Sequence, residues 1–287
     1  MPARPSSPIV DRRTLASALR SMREVAGLSL DEAATRALDA SAAKLSRLET
    51  GKQVAGPRDV RDLCELYGAP DARTQALVEL SHSARQRGWW EDLGADLDLD
   101  DYIGLESAAV EIQQFEPNII PPLLQTPAYS AAFLRSTATT VQASRWDDDQ
   151  RERFQQIVQI RQRRLLAADS GVKASFVLEE SSLVRGISGE ANLQDQIEHI
   201  RRAANAPGID VRVLPLKPGP APPLQSGFTN VILEDGSRYS YLENMAGGFL
   251  LESDDDTERL LGLFRVLQTQ AEPPEVTEEI LARQERT

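Results

Sequence analysis

Cysteine is almost missing from this chain: Cys64 is the only one in 287 residues. A single thiol forms no intramolecular disulfide, so the fold closes on packing alone, as suits a reducing cytosol. Cys64 lies on the apolar stripe of a helical segment and reads as a small core hydrophobe. Histidine is nearly as scarce, with only His82 and His199, and neither has other donors at metal-ligand spacing; His199 falls off the apolar stripe of its helix and is expected at the surface. No metal site and no cofactor are therefore expected. No apolar run approaches the roughly 18 residues of a membrane span. The opening MPARPSSPIV has no hydrophobic signal core, so the expectation is a cytoplasmic protein with no membrane partner. There is no G-x-S-x-G elbow, no phosphate-binding G-x-x-x-x-G-K-[ST] loop and no G-x-G-x-x-G. The acidic run EDLGADLDLDD (Glu91–Asp101) lacks the spacing of a calcium loop. With no catalytic residue to nominate, the chain does not read as an enzyme.

Basic charge is also short, and unevenly placed. The net charge is −12. Residues Met1–Pro70 hold eleven Lys and Arg against nine Asp and Glu, a net of +2, which leaves −14 for the remainder. An acidic body cannot lie along a polyanion without repulsion. Any nucleic-acid contact therefore belongs to the N-terminal part.

That part carries the clearest pattern. Leu15, Leu19, Met22 and Ala26 fall on one helical face, and Gly27 stops the helix. In LSLDEAATRALDASAAKLSRLETG, Ser29 and Glu32 have capping-box spacing, and Ala33, Ala34 and Ala37 allow close helix approach. Asp39-Ala40-Ser41 then interrupts the pattern, and Ser41 is a second N-cap. The helix from Ala42 to Glu49 turns Leu45 and Leu48 one way and Ala43 and Arg47 the other, with Lys44 and Ser46 flanking. An apolar back with a basic front suits the major groove; a helical hairpin that only packs is the alternative. Pro57 opens a further helix on Val60, Leu63, Cys64 and Tyr67, and Gly68 closes it.

The run LASALRSMREVAGLSLDEAA…SAAKLSRLETGK…PRDVRDLCELYG, most specifically its REVAGLS and KLSRLETGK segments, resembles the XRE-type helix-turn-helix of phage-repressor-like regulators. The resemblance implies sequence-specific binding of double-stranded DNA, and a structural pair between Arg23 and Glu49. The chain departs from that pattern at Leu30, where a DNA-touching glutamine is usual, and at Ala42 and Ala43, where polar residues or proline are common. Base reading then falls to Arg47 and Lys44, with methyl contacts from Ala42 and Ala43. Ser29, Ser41, Thr50 and Lys52 are the phosphate-positioning candidates. One short recognition helix reads few bases, so a homodimer is expected.

The rest of the chain mixes helices and strands. A helix is expected over Asp71–Gln86. Trp89-Trp90 follows, either anchoring the joint between domains or stacking on a ligand. Tyr102–Gln113 reads as helix, and FEPNIIPPLLQTPAY (Phe115–Tyr129) as a buried irregular connection, because its prolines forbid a regular element. A long helix over Asp149–Ala168 carries Ile157, Val158, Arg161 and Leu165 on one stripe. Strands are expected at Val172–Leu178, Ile209–Leu214, Phe228–Leu233 and Tyr239–Leu242, with helices near Asn192–Ala204 and Thr257–Gln270. Glu180 with Arg185 is either a ligand or partner clamp or a structural ion pair. Pro215–Gly227 has loop composition. The fold class is α+β: a disordered arm at 1–10, an all-α helix-turn-helix domain at 11–70, and a helical and acidic connector at 71–101. A regulatory α+β domain with a small, mostly antiparallel sheet at 102–272 and a polar tail at 273–287 complete it.

The segments YIGLESAAVEIQQFEPNIIPPLLQTPAYSAAFL, LEESSLVRGISG and SGFTNVILEDG resemble the C-terminal domain of actinobacterial WhiJ-like and antitoxin-like regulators. Pro122 stands where that family usually has glycine. The resemblance implies a transcriptional regulator, often with a small partner protein, and leaves two readings open. The acidic domain senses a protein or a small-molecule effector, or the protein is an antitoxin-like partner binder whose DNA contact is secondary.

Overall fold

Three caps set the helix-turn-helix boundaries. In the computed structural model, which describes residues 7–94, 99–136, 146–167, 169–184, 193–216, 226–244 and 247–284, the Ser29 hydroxyl accepts from the Glu32 amide, and the Glu32 carboxylate accepts from the Ser29 amide at 2.9 Å. This capping box opens α2 (Leu30–Leu38). Asp39 closes it in the left-handed region at φ 44°, a conformation that Asp tolerates better than most residues. Ser41 then caps α3 (Ala42–Glu49) through the Lys44 amide. The helix α1 (Pro8–Val25) precedes them, and α4 (Pro57–Leu66) and α5 (Asp71–Ser83) follow.

One apolar core joins these five helices: Leu15 and Leu19 of α1, Ala33 and Ala34 of α2, Leu45 and Leu48 of α3, Val60, Leu63 and Cys64 of α4, and Leu77 and Val78 of α5. The buried Ser81 hydroxyl donates to the Ala55 carbonyl at 2.6 Å and ties α5 to the loop before α4. The sequence expectation placed α5 in a connector. Its side chains instead complete the first core, and the first compact unit runs to Asp92. Residues 8–10 of the arm expected at 1–10 are helical, because α1 begins at Pro8 and Ile9 is buried. Proline at the first helical position loses no hydrogen bond. Residues 1–6 lie outside the described residues.

The second unit, from Leu93 onward, is built on a six-stranded sheet in the order β3-β2-β1-β4-β5-β6. The strands are β1 (Glu111–Glu116), β2 (Lys173–Glu179), β3 (Ile209–Leu214), β4 (Phe228–Ile232), β5 (Arg238–Asn244) and β6 (Gly247–Leu251). β1, β2 and β3 are parallel, and β4, β5 and β6 add antiparallel. The whole is α+β, with a mixed sheet. Its helices are α6 (Asp100–Ala108), α7 (Pro127–Ser136), α8 (Asp148–Leu165), α9 (Glu180–Val184), α10 (Leu193–Ala204), α11 (Asp254–Gln270) and α12 (Pro274–Gln284).

One sheet face, with Phe115, Val177, Leu214 and Phe228, packs on Phe264 and Leu267 of α11. The other carries Tyr241, whose ring stacks on Tyr102 of α6 at 4.4 Å. Tyr102 and Glu106 of α6 meet Arg161 of α8 there: Arg161 donates to both Glu106 oxygens at 2.7 and 2.6 Å. The Arg161 and Glu106 side chains are 4% and 6% exposed.

Four sequence expectations need correction in this unit. The helix expected over Tyr102–Gln113 stops at Ala108, and Glu111–Gln113 belong to the central strand β1. Register explains the change: β1 is flanked on both sides, and its alternate residues Ile112 and Gln114 are buried on one face. The helix α7 takes in Pro127–Tyr129 at the end of the irregular stretch. His199, expected at the surface, is half-buried, and burial together with Arg202 lowers its pKa. The polar tail is an amphipathic helix, α12, with Thr277, Ile280 and Leu281 buried. Its start covers the β3 edge: the Glu272 amide donates to the Val213 carbonyl at 2.9 Å, and the Val213 amide donates to Thr277 Oγ1 at 3.1 Å.

The proline-broken stretch after β1 makes one 3-10 turn at Pro122–Leu124. Without a ladder of its own, it takes hydrogen bonds from three buried glutamines. Gln125 Nε2 donates to the Ile120 carbonyl at 2.7 Å. Gln162 Nε2 on α8 donates to the carbonyls of Pro122 and Gln125, each at 2.7 Å. Gln196 on α10 donates to the Leu124 carbonyl at 2.6 Å and accepts from the Thr126 amide at 2.7 Å. Fully buried backbone groups left unpaired cost roughly 1–3 kcal/mol each. Gln196→Leu is therefore expected to lower unfolding free energy by about 2–4 kcal/mol. Urea unfolding followed by circular dichroism measures it, and a loss under 0.5 kcal/mol would show that water replaces both bonds.

Candidate nucleic-acid interface

The apolar back of α3 is fixed by Leu45 and Leu48, which are 0% and 1% exposed. That burial turns Ala43, Arg47 and Thr50 to solvent on the opposite side. Gly51 ends the helix at φ 69°, a left-handed turn that leads to the exposed Lys52.

The orientation of α3 against α1 is held by Arg23 and Glu49. Arg23 Nε donates to Glu49 Oε1 at 2.8 Å, and Arg23 Nη2 donates to Glu49 Oε2 at 3.0 Å. The other guanidinium nitrogen, Nη1, reaches the Leu28 carbonyl at 2.7 Å, at the entry to α2. One guanidinium thus joins the end of α1, the start of α2 and the end of α3. The bond to Glu49 raises the Arg23 pKa, with burial acting against it. Tyr67 of α4 sits in the same electrostatic neighbourhood, and burial and the Glu49 charge push its hydroxyl up.

The sequence-predicted contact residues divide into two groups. Arg47 is exposed, and its side chain makes a long 3.5 Å contact to Gln53 Oε1. Lys52 and Ala43 are exposed, and Ala42 is partly so. The others have prior engagements. Lys44 Nζ lies 3.2 Å from Asp59 of α4, which neutralises part of the basic front. Thr50 Oγ1 donates to the Ser46 carbonyl at 2.8 Å. The hydroxyls of Ser29 and Ser41 serve as caps, so what they offer an anion is a helix N-terminus rather than a free side chain. Leu30 packs on the core and does not face outward as the usual glutamine would. Sequence reasoning did not single out Arg58, which directly precedes the Asp59 that Lys44 meets; its side chain is 92% exposed and lies 3.7 Å from Asp62. Its position directly after Pro57, at a helix start, was the available signal.

The candidates outside this unit's DNA face are placed as follows. Trp90 is 1% exposed and Trp89 half-buried, their rings edge-on at 5.7 Å. Glu180 opens α9 and accepts from the Leu216 amide at 3.0 Å, beyond the end of β3. Arg185 lies outside the described residues, as do residues 217–225 of the Pro/Gly-rich loop. Among the described residues no group of three or more His, Cys, Asp or Glu is placed to hold a metal ion. None of the described helices is long and apolar enough to cross a membrane.

Residues 99–283 match the sequence model of a family described as a domain of unknown function (DUF5753). Residues 14–77 match a model described as a helix-turn-helix domain. No curated protein and no solved structure matches the chain.

Proposed function

From the premise that the chain belongs to the DUF5753 family and carries an N-terminal helix-turn-helix domain, we propose that it is a cytoplasmic, sequence-specific DNA-binding transcriptional regulator. It works as a homodimer, and its acidic C-terminal unit receives a protein or small-molecule signal. The observation that carries the reading is α3: its back is buried, its front presents Arg47, and the Arg23–Glu49 bond fixes its angle. In this reading Arg47 chelates a guanine through O6 and N7, and Ala42 and Ala43 contact thymine methyls. Lys52 and the amide ends of α2 and α3, at Ser29 and Ser41, hold phosphates with Thr50 beside them. Lys44 exchanges Asp59 for DNA. The net charge of −13 from Leu93 onward keeps the second unit off the polyanion.

Two substitutions separate reading from holding. Arg47→Ala is expected to cost about 1–3 kcal/mol on a selected operator and to relax preference at one base position. Lys52→Ala is expected to weaken all sequences alike and to reduce the slope of log K against log salt by about one. Fluorescence anisotropy across a salt series measures both. Equal losses on operator and random DNA for Arg47→Ala would remove it from base reading.

A further inference from the structure

The two edges of the sheet are finished differently. The chain itself covers β3, through Glu272 and Thr277 around the start of α12. β6 pairs with β5 on one side, and no described residue bonds to its backbone on the other. An uncovered edge strand is a template for another strand, and charges, proline or bulges are the usual protection. β6 reads GGFLL and pairs with β5 in unbroken register, so it has none of these.

Strand alternation fixes which groups face outward. The Leu233 amide donates to the Ser237 carbonyl at 2.9 Å, which makes these two a hydrogen-bonded pair. Counting by twos along β5, Ser240 and Leu242 turn their amides and carbonyls to β6, where they meet Leu251 and Phe249. The outward donors and acceptors of β6 are therefore those of Gly248 and Leu250. Phe249 shares the face of Leu242, which packs on the core under α11, and it is 48% exposed.

This edge is complementary to itself. About a two-fold axis through Phe249, β6 of a second copy sets Gly248 opposite Leu250, Phe249 opposite Phe249, and Gly247 opposite Leu251. Each Gly248–Leu250 pair exchanges both backbone bonds. Each leucine faces a glycine, so the strands close without crowding, and the two phenylalanines form a cross-strand aromatic pair. The acidic residues Glu252 and Asp254 follow one end of β6 only. Antiparallel pairing keeps the two acidic ends apart, whereas parallel pairing sets them together. A foreign strand would need its own small residues opposite Leu250 and Leu251; a second copy brings them. We propose that two copies of this chain join antiparallel, β6 to β6, into one continuous sheet. This names the interface of the homodimer read above, and its role on DNA rests on that reading; the strand pairing does not.

Sedimentation of the full chain without DNA tests the proposal. Five residues a strand make a small interface, so the mass is expected to rise from one chain to two between about 1 and 100 μM. Leu250→Pro removes an outward amide and leaves the β5 ladder intact. Phe249→Lys sets like charges across the axis. Each should raise the midpoint by about tenfold or more, with the circular dichroism of the parent. Phe249→Cys tests the register, because residues opposite each other in a non-hydrogen-bonded pair have Cα atoms about 4.5 Å apart, within disulfide reach. Oxidation should give it a covalent dimer and give none with Val266→Cys, which is 47% exposed on α11; the native Cys64 is buried. Should either β6 variant fail to fold, the cysteine pair decides. A chain that stays monomeric over this range, a dimer unmoved by both folded variants, or Phe249→Cys no faster to cross-link than Val266→Cys would overturn the interface. A dimer through β6 that selects no DNA motif refutes the regulator reading alone. An inverted-repeat motif selected by a chain whose dimer survives Leu250→Pro refutes this interface alone.

Discussion

Arg161→Met is expected to destabilise the C-terminal unit by about 3–5 kcal/mol, the range for breaking a buried ion pair from one side. The Glu106 carboxylate would keep the Tyr102 hydroxyl at 2.9 Å but lose both guanidinium bonds in a site where it is 6% exposed. The result separates the pair from the fold around it. Arg161→Met with Glu106→Leu removes both charges, so it should recover most of the loss, leaving about 1–2 kcal/mol for the stranded Tyr102 hydroxyl. Guanidinium unfolding of the four proteins gives the cycle. A double variant as unstable as Arg161→Met alone would mean that the loss comes from packing of the guanidinium on Tyr102, whose ring centre lies 5.3 Å from it.

The Arg23–Glu49 pair should show the second large effect, and here stability and DNA binding move together. The side chains are 11% and 3% exposed, so Glu49→Ala strands a largely buried guanidinium and is expected to cost about 3 kcal/mol. Arg23→Ala frees the Leu28 carbonyl as well as Glu49, which loosens the entry to α2. The double variant should lose less than the sum, with a coupling of about 1–3 kcal/mol. Because the pair sets the angle of α3, Glu49→Ala should also lower operator affinity at a temperature where it remains folded. Strict additivity in the cycle would contradict a direct pair.

The helical unit was largely legible because its signals are local. Ser29 with Glu32, Ser41, Pro57, Gly27 and Gly68 mark boundaries within one turn of where the helices start and stop. The second unit was less so. EIQQFE shows no apolar alternation, since Gln114 and Glu116 share a face with Ile112. That strand exists because β2 and β4 pair with it across more than fifty residues of chain, which no local pattern encodes. The glycine-rich β6 likewise forms by pairing with β5. The proline stretch was readable as irregular and buried, but its supports, Gln162 and Gln196, are polar residues that no hydrophobic pattern singles out. At the candidate site the sequence supplied the residue types and the Arg23–Glu49 pair through resemblance. The Lys44–Asp59 contact was hidden, because it joins α3 to α4 across fifteen positions.

Selection of the full chain on a random double-stranded library tests the central claim most directly. The account predicts an enriched two-part, inverted-repeat motif with half-sites about 34–36 Å apart or a multiple of one helical turn. It also predicts that Arg47→Ala retains the motif except for a guanine position, lost symmetrically in both halves. No enriched motif at moderate salt, or one unchanged by Arg47→Ala, would contradict the claim that α3 reads DNA.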